Sequence, residues 1–175
     1  YYDGAGIPVD YKKAFYWFNK AVESEQVDDY SRLAEFRLGF CYDFGQGTEQ
    51  DYIKAAHWYE KAANHGLSLG AMSLADLYLS GQGVPQDYAK ARAWFEKAAL
   101  QGEPRSADNL GEMYTKGLGV TPDEAKANSW YAKAAQGYEK SAKEGSSSAM
   151  MALGNLYNDG EGVPQDFAKA VHWYE

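Results

Sequence analysis

Five Gly-x-Gly pairs are the first residues in this sequence whose type and spacing could bind a ligand, because glycine-rich turns cradle phosphate groups. The pairs lie at 4/6, 45/47, 81/83, 117/119 and 160/162. A nucleotide-binding fingerprint needs a third glycine and a preceding strand. Each pair here lacks the third glycine and follows a helical pattern. The pairs therefore predict turns between helices and no phosphate site.

Three histidines could act as metal ligands or as general acids and bases. His57 and His172 each precede a tryptophan, and the same position beside the other tryptophans holds tyrosine, alanine or serine. Such variation favours a surface position. His65 lies at the end of a predicted helix, where partial positive charge suits the helix dipole. We expect no metal ligand and no catalytic residue among them.

Cys41 is the single cysteine, which leaves no disulfide within the chain and no thiolate metal site. Comparable helices hold leucine or methionine at its position, so we expect a buried apolar residue. The 25 acidic residues show no spacing that marks a catalytic pair. No cofactor is expected. A hydrolase or an enzyme accessory subunit stays an alternative, to be tested with generic esterase, lactamase and peptidase substrates.

Composition narrows the classes of partner. A net charge of −8 and a pI near 4.9 argue against nucleic acid, which requires a cationic face. No run of about 18 apolar residues occurs, so direct membrane insertion is not expected. The compartment stays open, since a bacterial cytoplasm and a periplasm both fit a chain without disulfides.

The elements that carry these residues form a repeat. Tryptophans at 17, 58, 94, 130 and 173 are separated by 41, 36, 36 and 43 residues, and the glycine pairs follow the same intervals. Two independent markers with one irregular spacing indicate tandem units. A unit consists of a first helix (helix A), a glycine turn, a second helix (helix B) and a second turn.

The unit at 71–102 shows the pattern most clearly. Ala71, Leu74 and Tyr78 form one apolar face of a helix A, which Gly81 ends. Asp87 is placed to cap the following helix B, which Gly102 ends. Small residues should let the helices approach closely, with tyrosine and tryptophan packed in the core between them. These residues are Ala55, Ala62, Ala63, Ala91, Ala98 and Ala99.

Two units depart from the spacing. The third helix B carries seven extra residues, close to two turns, which predicts one long helix from about Pro122 to Glu144 with Gly137 as a weak point. Thr121–Glu124 reads as a capping box for it. Ser24–Tyr30 predicts an irregular connection.

The segments GVPQDYAKARAWFEKAALQG, GQGTEQDYIKAAHWYEKAANHG and GEGVPQDFAKAVHWYE resemble the Sel-1-like repeat, a relative of the tetratricopeptide repeat. Leu38-Gly39, Leu110-Gly111 and Leu153-Gly154 match its Leu-Gly motif, and Leu74-Ala75 departs from it. The resemblance implies an all-α, right-handed α-α superhelix, an α-solenoid of stacked hairpins. We expect one repeat domain over 1–175, with a partial repeat at 1–27, repeats at about 30–66, 67–102 and 104–145, and a partial repeat at 147–175.

The family also implies a protein–protein interaction scaffold or adaptor without catalysis. A toxin-neutralising, immunity-type protein is an alternative. By the family architecture, helices A line the concave groove, and the positions that vary there are the predicted partner-binding residues. They are Phe36, Arg37, Phe40, Met72, Ser73, Asp76, Asp108, Asn109, Glu112, Met151 and Asn155.

The predicted groove has an apolar, weakly basic N-terminal end and an acidic middle, which favours a protein or peptide partner that carries positive charge. The chain begins and ends within the repeat pattern, so it reads as a piece of a longer protein. Both terminal faces should expose apolar surface, which predicts either flanking repeats or end-to-end self-association.

Overall fold

The structure, a computed structural model, describes residues 9–23 and 28–175. These residues form helices joined by short turns, and no strand occurs within the described ranges. The helices are α1 (Tyr11–Ala21), α2 (Asp29–Phe44), α3 (Tyr52–Asn64), α4 (Ser68–Ser80), α5 (Tyr88–Leu100), α6 (Pro104–Lys116), α7 (Glu124–Lys143), α8 (Ser147–Asp159) and α9 (Phe167–Tyr174).

The chain divides into two compact units, the first ending at Trp94 and the second beginning at Phe95, both within α5. In the first unit, α2 packs against α1 and α3, and α3 packs against α4. In the second unit, α7 packs against α6 and α8, and α8 packs against α9. The even-numbered helices are helices A, and the odd-numbered helices are helices B.

The turns form as their residues dictate. Each helix A from α2 to α8 ends at the first glycine of a pair, and these four glycines have φ between 66° and 76°, where other residues are strained. Each helix B begins after an aspartate whose side chain accepts from a backbone N–H three residues later, at 2.9–3.0 Å. These caps are Asp10, Asp51, Asp87, Asp123 and Asp166. The predicted capping box at Thr121–Glu124 is therefore wrong, because Asp123 is the cap.

The Leu-Gly motif has a packing reason. A Cβ atom built on Gly39 would lie 2.5 Å from Cδ1 of Tyr59, and one on Gly111 would lie 2.5 Å from Cδ1 of Tyr131. The glycine thus lets the aromatic ring of helix B lie directly on the backbone of helix A. Leu38 and Leu110, which precede these glycines, are fully buried. The helices of a hairpin meet closely because this position has no side chain.

The long helix predicted after the third glycine pair is confirmed as α7, which has 20 residues. The helix α7 continues through Gly137 without a break. A Cβ atom at this position would lie 2.7 Å from Cβ of Pro104 at the start of α6. Gly137 therefore allows close contact between α7 and α6.

The core contains five of the six predicted alanines, together with Tyr59 and Tyr131, and Ala99 is partly buried beside it. The tryptophans lie at its margin, which corrects their assignment as core residues. Trp17 is 56% exposed, and Trp130 is half-buried with Nζ of Lys133 4.0 Å from its ring centroid. Residues 1–8, and 24–27 of the predicted irregular connection, lie outside the described residues.

Candidate functional site

The predicted partner-binding residues fall into two sets, one in each unit. Those of the first unit lie on α2 and α4, and those of the second lie on α6 and α8. The first set is Phe36, Arg37, Phe40, Met72, Ser73 and Asp76, and the second is Asp108, Asn109, Glu112, Met151 and Asn155. We call the exposed and half-buried members of each set the helix A surface of that unit.

Three phenylalanines follow one another along α2. Phe36 and Phe40 have ring centroids 6.4 Å apart, and Phe40 and Phe44 have centroids 4.3 Å apart. Phe36 is only 9% exposed and packs against Tyr59 at 5.7 Å, so its assignment to the binding surface is corrected to the core. Phe44 is 58% exposed. The i, i+4, i+8 spacing could have identified Phe44, which our sequence analysis missed.

A hydrogen-bonded tyrosine and carboxylate lie beside this aromatic row. The hydroxyl of Tyr59 donates a 2.9 Å hydrogen bond to Oδ2 of Asp43. Burial raises the pKa of Tyr59, and the charge of Asp43 raises it further. A hydrogen bond with Ser73 lowers this pKa, and the charge of Asp76 raises it. Burial likewise raises the pKa of Asp43. The first unit thus combines exposed aromatic surface with carboxylates that are partly removed from water.

Met72 is only 8% exposed. The residue type at this position varies among the repeats, yet Met72 is buried. Its assignment to an open binding surface is therefore corrected, since variation in type does not by itself indicate exposure.

The second unit places Asp108 beside a tyrosine that the lengthened α7 supplies. The hydroxyl of Tyr138 donates a 3.0 Å hydrogen bond to Oδ2 of Asp108. Burial raises the pKa of Asp108, and the hydrogen bond from Tyr138 lowers it. The charge of Glu112 raises this pKa and the charge of Arg105 lowers it. Glu112 is exposed and forms an ion pair with Lys116. Asp108 is thus the one half-buried carboxylate of this set.

A cavity of about 500 Å³ opens to solvent beside Asp108, and we call it the Asp108 pocket. The first two turns of α6, the C-terminal part of α7 and the first two turns of α8 line it. Asp108 and Asn109 were predicted from the sequence, whereas the α7 and α8 residues were not. The polar residues of its wall are Glu103, Arg105, Asp108, Asn109, Tyr138, Ser141, Ser146 and Ser148.

Met151 and Asn155 extend the second surface along α8. Met151 is 63% exposed, and Asn155 is exposed and accepts a 2.8 Å hydrogen bond from the hydroxyl of Tyr174. Tyr174 is the α9 counterpart of Tyr59 and Tyr131. The aromatic residue of each of these helices B therefore also sends its hydroxyl toward the helix A of its own hairpin.

The remaining candidates for chemistry, one cysteine and three histidines, are not among the predicted binding residues. Cys41 is fully buried, and burial raises the pKa of its thiol to about 11. His57 and His172 are exposed, as predicted. Nδ1 of His65 lies 2.7 Å from Oε2 of the buried Glu35, a pairing that our sequence analysis missed.

Neither described range, 9–23 or 28–175, contains three acidic, histidine or cysteine residues grouped to hold a metal ion. No helix within these ranges combines the length and apolar character needed to cross a membrane.

Comparison with known proteins places these features in a family. The model of the Sel1 repeat matches residues 1–25, 32–67, 68–103, 104–137 and 147–175. No curated protein sequence matches the chain significantly.

Two solved structures are similar over nearly the whole chain. The first is c5321, a protective antigen of uropathogenic Escherichia coli strains that displays an SLR fold, with 32% identity and a TM-score of 0.69. The alignment covers 98% of this chain and 42% of c5321. The second is a Sel1 repeat protein from Oxalobacter formigenes, with 32% identity and a TM-score of 0.71. That alignment covers 99% of this chain and 66% of the other.

A more distant structure is the immunity protein Pa5087 from Pseudomonas aeruginosa, with 16% identity, a TM-score of 0.45 and coverage of 93% of this chain and 80% of that one. This likeness carries no weight for the function. The two closer structures and the family model confirm the all-α solenoid class predicted from the sequence. The chain therefore belongs to the Sel1 repeat family.

Proposed function

We propose that this chain is a protein-interaction scaffold that binds a partner protein or peptide through the helix A surfaces of its two units. Sel1 repeats form a scaffold that commonly mediates protein interactions. The proposal assigns no catalytic step to the chain. We further propose that the partner carries positive charge.

One observation carries the proposal. The residue two positions after the conserved core leucine of helix A differs in each repeat, while the leucine itself stays the same and is buried in all four. The differing residues reach the surface to varying degrees and include an aromatic ring, two carboxylates and an amide. They are Phe40, Asp76, Glu112 and Asn155. A recurring core leucine beside a surface position that varies suits a repeat protein that selects one partner.

The charge of these surfaces supports a cationic partner. Asp43 and Asp76 lie beside the aromatic row of the first unit, and Asp108 and Glu112 lie on α6 in the second. Opposite charges across an interface raise the association rate and disfavour partners of the wrong sign. Phe44 offers each such partner an apolar contact in the first unit.

The experiment is a capture of partners from native lysate, followed by binding measurements on the captured protein. The variant Asp76→Lys/Glu112→Lys should weaken binding at least tenfold and reduce the dependence of affinity on salt. Its matched control is Glu60→Lys/Glu124→Lys, which makes the same change in net charge at exposed helix B positions. Equal loss in both variants would show that overall charge, not the helix A surfaces, governs binding.

A further inference from the structure

The Asp108 pocket is rich in groups that accept hydrogen bonds. Glu103 and Asp108 contribute carboxylates, Asn109 contributes an amide, and Ser141, Ser146 and Ser148 contribute hydroxyls at its wall. Arg105 is the one cationic side chain that lines it. Two carboxylates against one guanidinium leave the pocket with a net negative charge at neutral pH.

Tyr138 holds the central carboxylate in place. The hydroxyl of Tyr138, a buried residue, donates to Oδ2 of Asp108, and the charge of Arg105 also acts on this carboxylate. The bond from Tyr138 is made to Oδ2, and the lone pairs of Oδ1 can accept from a ligand. Because the side chain is partly withdrawn from water, a cation that pairs with it gains more than it would at an open surface.

The balance of charge decides which ligand this pocket favours. The first turns of α6 and α8 carry partial positive charge, but the side chains of Glu103 and Ser146 cap them. The carboxylates of Glu103 and Asp108, the second of which is hydrogen-bonded to Tyr138, would repel an anion. A metal ion would find only these two acidic ligands, since the wall contains neither histidine nor cysteine.

Size points in the same direction. A cavity of about 500 Å³ that opens to solvent admits a long side chain from another protein, together with water. Its polar groups are spread over three helices, so several donors on one ligand group could be bound at once. An ammonium has three donors and a guanidinium has five.

We infer that the Asp108 pocket binds the side chain of a lysine or arginine presented by the partner protein. This inference rests on the proposed function, since it gives the scaffold one defined anchor point. The ammonium or guanidinium group lies against Oδ1 of Asp108 and the hydroxyls of α8. The hydrocarbon part of the side chain lies along Ala149 and Ala152.

The test uses the full chain, labelled with ¹⁵N, and no partner protein. The probes are N-acetyl-lysine N-methylamide and N-acetyl-arginine N-methylamide, each added up to about 50 mM. One or both should give saturable shifts of the backbone amides near Asp108, Tyr138 and Ser146. N-acetyl-norleucine N-methylamide, which lacks the charge, should give none.

Variants locate the binding group. Asp108→Asn keeps an acceptor for Tyr138 but removes the charge, and should weaken the probe at least tenfold. The matched control Asp159→Asn makes the same change in charge at the far end of α8, about 18 Å along the helix from its first turn, and should leave the shifts unchanged. A helical circular dichroism spectrum checks that each variant folds.

Three results would overturn the inference. The first is that neither cationic probe gives saturable shifts. The second is that N-acetyl-norleucine N-methylamide gives shifts equal to those of the cationic probes. The third is that Asp108→Asn binds the cationic probe as strongly as the unchanged chain does. Shifts with N-acetyl-glutamate but not with lysine or arginine would likewise overturn it, by assigning the pocket to an anion. None of these outcomes bears on partner capture by the helix A surfaces, so the two proposals fail separately.

Discussion

Nδ1 of His65, which caps the end of α3, lies 2.7 Å from Oε2 of Glu35 in the middle of α2. Nζ of Lys61 lies 3.7 Å from the other oxygen of this carboxylate, whose residue is 4% exposed. At the same position the later helices A hold Ala71 and Ala107. In this hairpin a buried carboxylate, bonded to an imidazole and paired with Lys61, replaces a small apolar side chain.

This pair predicts unequal effects for its two members. His65→Ala should lower the free energy of unfolding by about 2 kcal/mol, because it leaves the buried carboxylate with one distant, half-exposed cation. Glu35→Ala should cost less, since it installs the alanine that two other repeats carry and leaves the His65 ring and the Lys61 ammonium near solvent. Urea denaturation of both variants measures the difference. A larger loss for Glu35→Ala would contradict this account of the pair.

Gly39 predicts a change opposite in sign to helix propensity. Alanine is favoured over glycine by about 1 kcal/mol inside a helix. Gly39→Ala should nevertheless destabilise the chain by about 2 kcal/mol, because the new methyl group would overlap the ring of Tyr59. Thermal or urea unfolding measures the loss. In a Tyr59→Leu background the same substitution should cost less, and an equal cost in both backgrounds would exclude the overlap as its cause.

Ser106 predicts a stabilising substitution. Its Oγ is buried and forms no hydrogen bond within the described part of the chain. The same position holds Ala34 and Ala149 in other helices A. Ser106→Ala should raise the free energy of unfolding by about 1 kcal/mol, because it removes an unpaired buried hydroxyl. Ser129→Ala, at an exposed position on α7, is the control and should change it little; a loss on Ser106→Ala would indicate that the hydroxyl is bonded.

The helix cap Asp51 should make the free energy of unfolding depend on pH in the acidic range. Its hydrogen bond from the backbone N–H of Lys54 lowers its pKa below the ordinary 3.8. A lowered carboxyl pKa contributes stability that is present above the unfolded value and is lost as the pH falls through the folded value. Asp51→Asn keeps a capping oxygen, so it should retain most stability at pH 7 and lose less between pH 4 and pH 2. Parallel pH profiles of unfolding for the variant and the wild type would rule out this contribution.

Cys41 predicts slow modification of its thiol. Burial raises its pKa to about 11, so little thiolate exists at pH 8, and the side chain is fully buried. A disulfide reagent should therefore react only as fast as α2 opens, and moderate urea should accelerate the reaction. Rapid modification of the folded chain, at the rate of a free thiol, would contradict the burial of α2 against its neighbours.

The sequence predicted helix boundaries well because single residues determine them. Gly81 must end α4, since only glycine adopts its backbone conformation cheaply, and Asp87 must begin α5 by capping it. Both effects act within a few residues along the chain. The length of α7 followed from the same reasoning, because seven residues preserve the apolar face of a helix.

The binding surfaces were predicted less completely because they depend on contacts between distant residues. Phe36 and Met72 vary in type among repeats and are still buried, since each unit packs its core with different side chains. Tyr138 and Asp108 are 30 residues apart, as are His65 and Glu35. Nothing in local periodicity brings either pair together, and only the packing of neighbouring helices does.

The two additional turns of α7 have a consequence for how such chains diversify. Tyr131 and Tyr138 stand seven residues apart on one face, so the lengthened rod meets α6 at Thr115 near one end and at Asp108 near the other. Because seven residues are close to two helical turns, inserting them keeps the same face of the helix in the same direction. The hairpins before and after the insertion need not refold. Duplication of a short stretch of coding sequence can in this way open a new cleft in a single step, while the rest of the array keeps its inherited packing.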